Sequence, residues 1–106
     1  MLEDNENILF NLQTPLGFNI RTTRGYWDKI CIKHPDMKDR LEKVMKTLVS
    51  PNEVRKSKRD NNVLLFYNNE DDKWIVAVSK RLNGEGFLIT AYRTDSIKEG
   101  DVVWHK

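Results

Sequence analysis

Residues 74–93 read Trp74-Ile75-Val76-Ala77-Val78-Ser79-Lys80-Arg81-Leu82-Asn83-Gly84-Glu85-Gly86-Phe87-Leu88-Ile89-Thr90-Ala91-Tyr92-Arg93. Two apolar runs flank Asn83-Gly84, a pair that adopts the positive φ angles of a two-residue hairpin turn. An Asn83-Gly84 loop sets Leu82 across from Glu85, Lys80 from Phe87 and Val78 from Ile89. Side chains alternate, so Thr90 and Tyr92 then share a face with Ser79 and Arg81. Lys80 shares the other face with Trp74, Val76, Val78, Phe87, Ile89 and Ala91. That second face is the more apolar and is expected to be the core face. A one-residue bulge would exchange the faces on one strand.

Working back from the hairpin, residues 63–67 form another apolar strand and residues 53–59 a charged one. Asp60-Asn61-Asn62 and residues 68–72 are turns. Further upstream the period changes. Met37, Leu41, Val44, Met45 and Leu48 recur at helical spacing, which predicts one helix over residues 34–49. Pro35 suits its first turn and Ser50-Pro51-Asn52 ends it. Trp27, Ile30, Cys31 and His34 mark an earlier helix over 24–33, with Thr22 or Thr23 as N-cap. Residues 8–12 and 18–20 read as short strands around the turn Thr14-Pro15-Leu16-Gly17. Val102, Val103 and Trp104 give the tail an apolar end that docks on the body. Helices and strands are segregated, which means an α+β fold. Two N-terminal helices are expected to pack on a four-stranded antiparallel sheet, with short N-terminal strands, in one domain over 1–106.

Length and composition agree with this scale. A chain of 106 residues with 39% hydrophobic and 32% charged residues is globular and too short for a dinucleotide-binding fold or an α/β barrel. One cysteine excludes a disulfide framework and a multi-cysteine zinc site. Cys31 lies on a packing face and reads as a buried structural thiol. The start, MLEDNENILF, lacks the pattern of a signal peptide, and no apolar run reaches the roughly 20 residues that cross a bilayer. A cytoplasmic protein without a membrane role is expected.

The net charge of +2 conceals an uneven distribution. Residues 1–20 carry only acids, Glu3, Asp4 and Glu6. Residues 21–59 hold twelve Lys/Arg against five Asp/Glu, an excess of +7. Such a block suits a phosphate-rich partner, although a solvated helix face has the same composition.

His34 extends an apolar helical face and is fixed by Pro35 at a corner. Histidine exchanges protons near neutrality, so it is a candidate acid or base, or else a packing cap. Thr90 and Tyr92 offer hydroxyl donors for a phosphate, or simply follow β-propensity. Lys80, Arg81 and Arg93 could stabilise developing negative charge, or be solvated strand ends. Neither metal-ligand spacing nor a glycine-rich phosphate loop is present.

Tyr26-Trp27-Asp28-Lys29-Ile30 with Lys33-His34-Pro35, then Val44 to Ser50-Pro51-Asn52-Glu53-Val54, Ile75-Val76-Ala77-Val78-Ser79-Lys80 and Phe87-Leu88-Ile89-Thr90-Ala91-Tyr92 form a familiar succession. Over about residues 17–104 it resembles small phage and bacterial members of the Barnase–EndoU–colicin–RelE-like nuclease superfamily. The resemblance implies a metal-independent ribonuclease, with no cofactor, that drives a ribose 2′-hydroxyl onto the adjacent phosphate. It implies His34 as acid/base, Lys80 and Thr90 on the phosphate, and Tyr92 supporting the phosphate or stacking on a base. Lys33, Lys38, Lys46, Arg55 and Arg81 would bind RNA. Some members are toxins neutralised by an antitoxin or immunity protein, and others have lost catalysis. A non-catalytic nucleic-acid- or protein-binding module of the same fold, or an unrelated α+β interaction domain, are the alternatives. The hairpin register opposes Lys80 to Thr90 and Tyr92, so the resemblance also requires a bulge if all three serve one site.

Overall fold

The computed structural model describes residues 7–97 and 99–106. The acidic residues Glu3, Asp4 and Glu6 lie outside the described residues.

The hairpin forms as the Asn-Gly signal requires. β5 (Lys73–Leu82) turns at Asn83 (φ 54°) and Gly84 (φ 82°) into β6 (Glu85–Thr94). The expected pairing holds from Leu82↔Glu85 to Ser79↔Leu88. The register then slips by one residue at Ile89. Beyond the slip Val78 faces Thr90, Ala77 faces Ala91, Val76 faces Tyr92 and Trp74 faces Thr94. This bulge moves Thr90 and Tyr92 onto the face of Lys80 and sends Ala91 to the other face.

The sheet is larger than a four-stranded antiparallel one, which corrects the expected fold. Seven strands run in the order β1-β2-β6-β5-β4-β3-β7, and the sheet is mixed. β1 (Ile8–Gln13) and β2 (Asn19–Thr23) form a hairpin joined to the sheet through a parallel β2–β6 contact at Ile20↔Gly86 and Arg21↔Phe87. β3 (Glu53–Lys56) and β4 (Val63–Glu70) extend the other side. The tail does more than dock: it is a strand, β7 (Asp101–His105), antiparallel to β3. Pattern shows which face is apolar, but not which edge a short strand joins. Close β2–β6 approach depends on Gly86, where a Cβ would lie 2.6 Å from the Asn19 carbonyl oxygen.

α1 (Arg24–Lys33) starts at an N-cap in which the Thr23 hydroxyl accepts a bond from the Tyr26 N–H at 3.1 Å. The expected single helix over 34–49 is interrupted. A 3₁₀ turn, Pro35–Met37, leads through a break to α2 (Leu41–Val49), with Arg40 as N-cap. The break uses the gap between Met37 and Leu41 in the apolar stripe. Met37, Val44 and Leu48 are fully buried, whereas Leu41 and Met45 are partly buried at the core margin.

The helices cover the face of β5 that was expected to be the outer one. Ile75 and Ala77, with Leu88 and Ala91 of β6, pack with Trp27, Ile30, Met37, Val44 and Leu48. Ala77, Ser79 and Ala91 are small and fully buried, and their size lets helices sit close to the sheet. The bulkier Val76, Val78, Leu65 and Tyr67 form a second cluster on the helix-free face. Thr94 pairs at the Trp74 end of β5, and Asp101 pairs with Lys56 toward the other end of the sheet. Ile97 packs on the second cluster, an Asp95–Lys73 ion pair ties the start of the β6–β7 connection, and Arg55 Nη1 donates to the Gly100 oxygen at 3.2 Å near its end.

Candidate functional site

The helix-free face carries chemistry because of strand register. Glu53 and Arg55 (β3), Val63, Leu65 and Tyr67 (β4), and Trp74, Val76, Val78 and Lys80 (β5) all point to it. β6 adds Phe87 through the unslipped pairing, and Thr90 and Tyr92 through the bulge. Lys80, Thr90 and Tyr92 therefore share one surface, with Thr90 diagonal to Lys80 across the β5–β6 ladder.

His34 reaches this surface from the side. Among the described residues β2 covers β6 only at Gly86 and Phe87, and the outer edge of β6 beyond Phe87 has no strand neighbour. The turn after α1 abuts that edge. There the His34 ring lies 5.9 Å from the Tyr92 ring, centroid to centroid, with the planes inclined at 37°. The His34 backbone N–H donates to the Ile30 oxygen and closes α1. The cap therefore uses the backbone and leaves the ring to Tyr92.

Two phenols border the site, and both remain protonated at neutral pH. Burial pushes the Tyr67 hydroxyl up to about 12, helped by Tyr92 and Glu99 and opposed by Arg55. Burial also raises Tyr92, with Glu99 adding to it. Tyr92, partly exposed, is thus a hydrogen-bond donor to an anion, whereas Tyr67, 2% exposed, lies beneath the surface.

The cations are partly engaged. Lys80 Nζ lies 3.2 Å from Asp60 Oδ2, and Arg55 Nε is paired with Glu53. Asp60 is held below the usual carboxylate range, first by the Asn62 N–H and then by Lys80. The other cations assigned to RNA are dispersed. Lys33, Lys38 and Lys46 are exposed on the helical layer, and Arg81 lies on the helix side of β5 with its guanidinium 4.5 Å over the Phe18 ring. Lys38 borders an open groove of about 510 Å³ along α1, while Lys46 borders another of about 400 Å³ with Lys43 and Lys106. The fold therefore divides these cations between separate surfaces, and of the five only Arg55 joins the face of Lys80, Thr90 and Tyr92.

Behind the site sits a group that sequence reading had placed in a turn. β4 continues through Glu70, whose side chain is only 6% exposed and points to the helix side. Arg40 Nε donates to both carboxylate oxygens at 3.1 Å, and Lys43 binds Oε2. Arg93 Nε lies 2.7 Å from Oε1 but off the hydrogen-bond direction, so it forms a close ion pair without a bond. Burial alone would raise the Glu70 carboxyl, but Lys43 and Arg40 outweigh it and hold the group below its ordinary value. Arg40 Nη1 also donates to the Asp36 oxygen. Glu70 thus joins the turn that carries His34 to the strand that carries Tyr92. Alternation from Phe66 through Asn68 would have placed it facing inward.

Cys31 is a buried free thiol, raised by that burial. Among the described residues no three His, Cys, Asp or Glu side chains gather as a metal-ligating group, and no helix is long and apolar enough to cross a membrane. No family model, no curated protein and no solved structure matches the chain.

Proposed function

We propose that the chain is a metal-independent endoribonuclease acting at the outer edge of β6. The observation that carries this reading is the contact between the His34 and Tyr92 rings, beside Thr90 and on the face of Lys80. A phosphate docked there meets a proton-exchanging imidazole, neutral hydroxyl donors and an ammonium, the set that phosphoryl transfer to a ribose hydroxyl needs. The 2′-oxygen attacks phosphorus as its proton departs. The new O2′–P bond forms, the P–O5′ bond breaks, and the 5′-oxygen takes up a proton. His34 performs one of these proton transfers, and water at the open edge performs the other. Lys80, released from Asp60, and the Thr90 and Tyr92 hydroxyls hold the phosphate oxygens. An antitoxin or immunity protein would neutralise such an enzyme by covering this face.

The Lys80–Asp60 pair favours a second reading, an RNA-binding module that does not cleave, because a carboxylate already occupies the ammonium. Incubation of single-stranded RNA with the protein in EDTA separates the two. Cleavage with a 2′,3′-cyclic phosphate product, lost in His34→Ala, supports the enzyme. His34→Ala should melt close to wild type, because the α1 cap bond is made by the backbone. Salt-dependent binding without cleavage supports the module. Full activity in His34→Ala overturns the assignment.

A further inference from the structure

We propose that Arg21 and Phe87 form a second subsite for the same ligand, a stacking and phosphate contact for a nucleotide farther along a single-stranded RNA. This rests on the ribonucleic-acid reading above. Phe87 pairs with Lys80 and so faces the surface that holds Thr90 and Tyr92. The Arg21 guanidinium lies 5.0 Å from the centre of the Phe87 ring. A guanidinium resting on one ring keeps its outer face for a base and its N–H edges for phosphate oxygens.

Three features make the pair suited to an incoming ligand. The Arg21 side chain is 34% exposed, so the outer face and Nη edge of its guanidinium can be reached from solvent. Its carboxylate contact, Glu85 at 3.1 Å, involves a side chain 60% exposed, and such pairs yield readily to a better anion. The strand bearing Arg21 is pressed against β6 at Gly86, where no side chain fits, so the stack is held by backbone rather than by a mobile loop. Phe87 and Tyr92 are five residues apart on one strand, roughly 16 Å at the usual rise and less with the bulge. A mononucleotide at His34 would not reach Arg21, whereas an extended oligonucleotide would.

The test compares a dinucleotide and an octanucleotide of non-cleavable 2′-O-methyl RNA, titrated by NMR into wild type, Arg21→Ala, Arg21→Lys, Phe87→Leu and the control Lys29→Ala. Thermal melts check that each variant is folded. Arg21→Ala and Arg21→Lys should each weaken octanucleotide binding by roughly tenfold and leave the dinucleotide unchanged, since lysine keeps charge but loses the planar stack. Phe87→Leu should do the same, and Lys29→Ala should leave stacking-dependent affinity intact. Wild-type affinity in Arg21→Lys, equal losses for both lengths, or a Lys29→Ala effect matching Arg21→Ala would overturn the subsite. Metal-free cleavage that depends on His34 but not on Arg21 would remove the subsite and leave the ribonuclease reading. Arg21-dependent binding without cleavage would do the reverse.

Discussion

Removing the Glu70 carboxylate should be the most damaging single change at the helix–sheet junction. Glu70 is almost fully buried, and Arg40 and Lys43 from the start of α2 and Arg93 from β6 converge on it. Deleting one partner of a buried ionic cluster leaves uncompensated charge, typically at a cost of about 3–5 kcal/mol. Lys43 is more than half exposed and is screened by water, so Arg40 and Arg93 carry most of that loss. In a domain this small the corresponding fall in melting temperature is about 12 °C or more. Urea unfolding of Glu70→Ala, Arg40→Gln and Arg93→Gln should give losses in that descending order. Arg40 bonds both oxygens and the Asp36 carbonyl, whereas Arg93 makes an ion pair without an aligned bond. The pH dependence has a definite sign. Because the folded carboxyl is held below its unfolded value, its contribution is fully present above about pH 4.3 and is lost as pH falls through the lowered folded value. The gap between wild type and Glu70→Gln should therefore narrow in acid. A loss below about 1 kcal/mol for Glu70→Ala, or a gap that widens in acid, would refute this account.

Ser79 is fully buried and its hydroxyl has no hydrogen-bond partner among the described residues, so Ser79→Ala should raise stability by about 1 kcal/mol in urea unfolding. Gly86→Ala should destabilise by about 1–3 kcal/mol and loosen β2 from β6, read as faster amide exchange at Ile20 and Arg21, because the new methyl meets the Asn19 carbonyl. Leu48→Ala, at a fully buried position of α2, should cost about 2–5 kcal/mol. A loss for Leu41→Ala as large as that for Leu48→Ala would contradict the marginal placement of Leu41.

The elements were legible wherever one local rule governs them. Asn83-Gly84 fixed its hairpin because few residues tolerate two positive φ angles in succession. Thr23 capped α1, whose bounds follow from its stripe and from Pro35. What local rules lack is information about partners in space. The parallel seam of β2 on β6 and the addition of β7 to β3 depend on strands far apart in sequence. Spacing alone also hid the break before α2, since Met37 and Leu41 are as compatible with a 3₁₀ turn and a restart as with one continuous helix.

The candidate site depends on a single inserted residue. Without the bulge at Ile89, Thr90 and Tyr92 would point to the helix side with Ser79, and Lys80 would face away from them. Residue types in β6 do not announce the bulge, because Leu88, Ile89, Thr90 and Ala91 all suit a regular strand next to an apolar layer. The packing requirement decides it. Fully buried Leu88 and Ala91 both belong to the helix-side core, and their odd separation cannot put them on one face of an unbroken strand. One residue must therefore be absorbed between them, and absorbing it turns Thr90 and Tyr92 outward to the edge where His34 lies. The same demand that fills the core beneath the helices thus brings the imidazole, the hydroxyls and Lys80 to one surface.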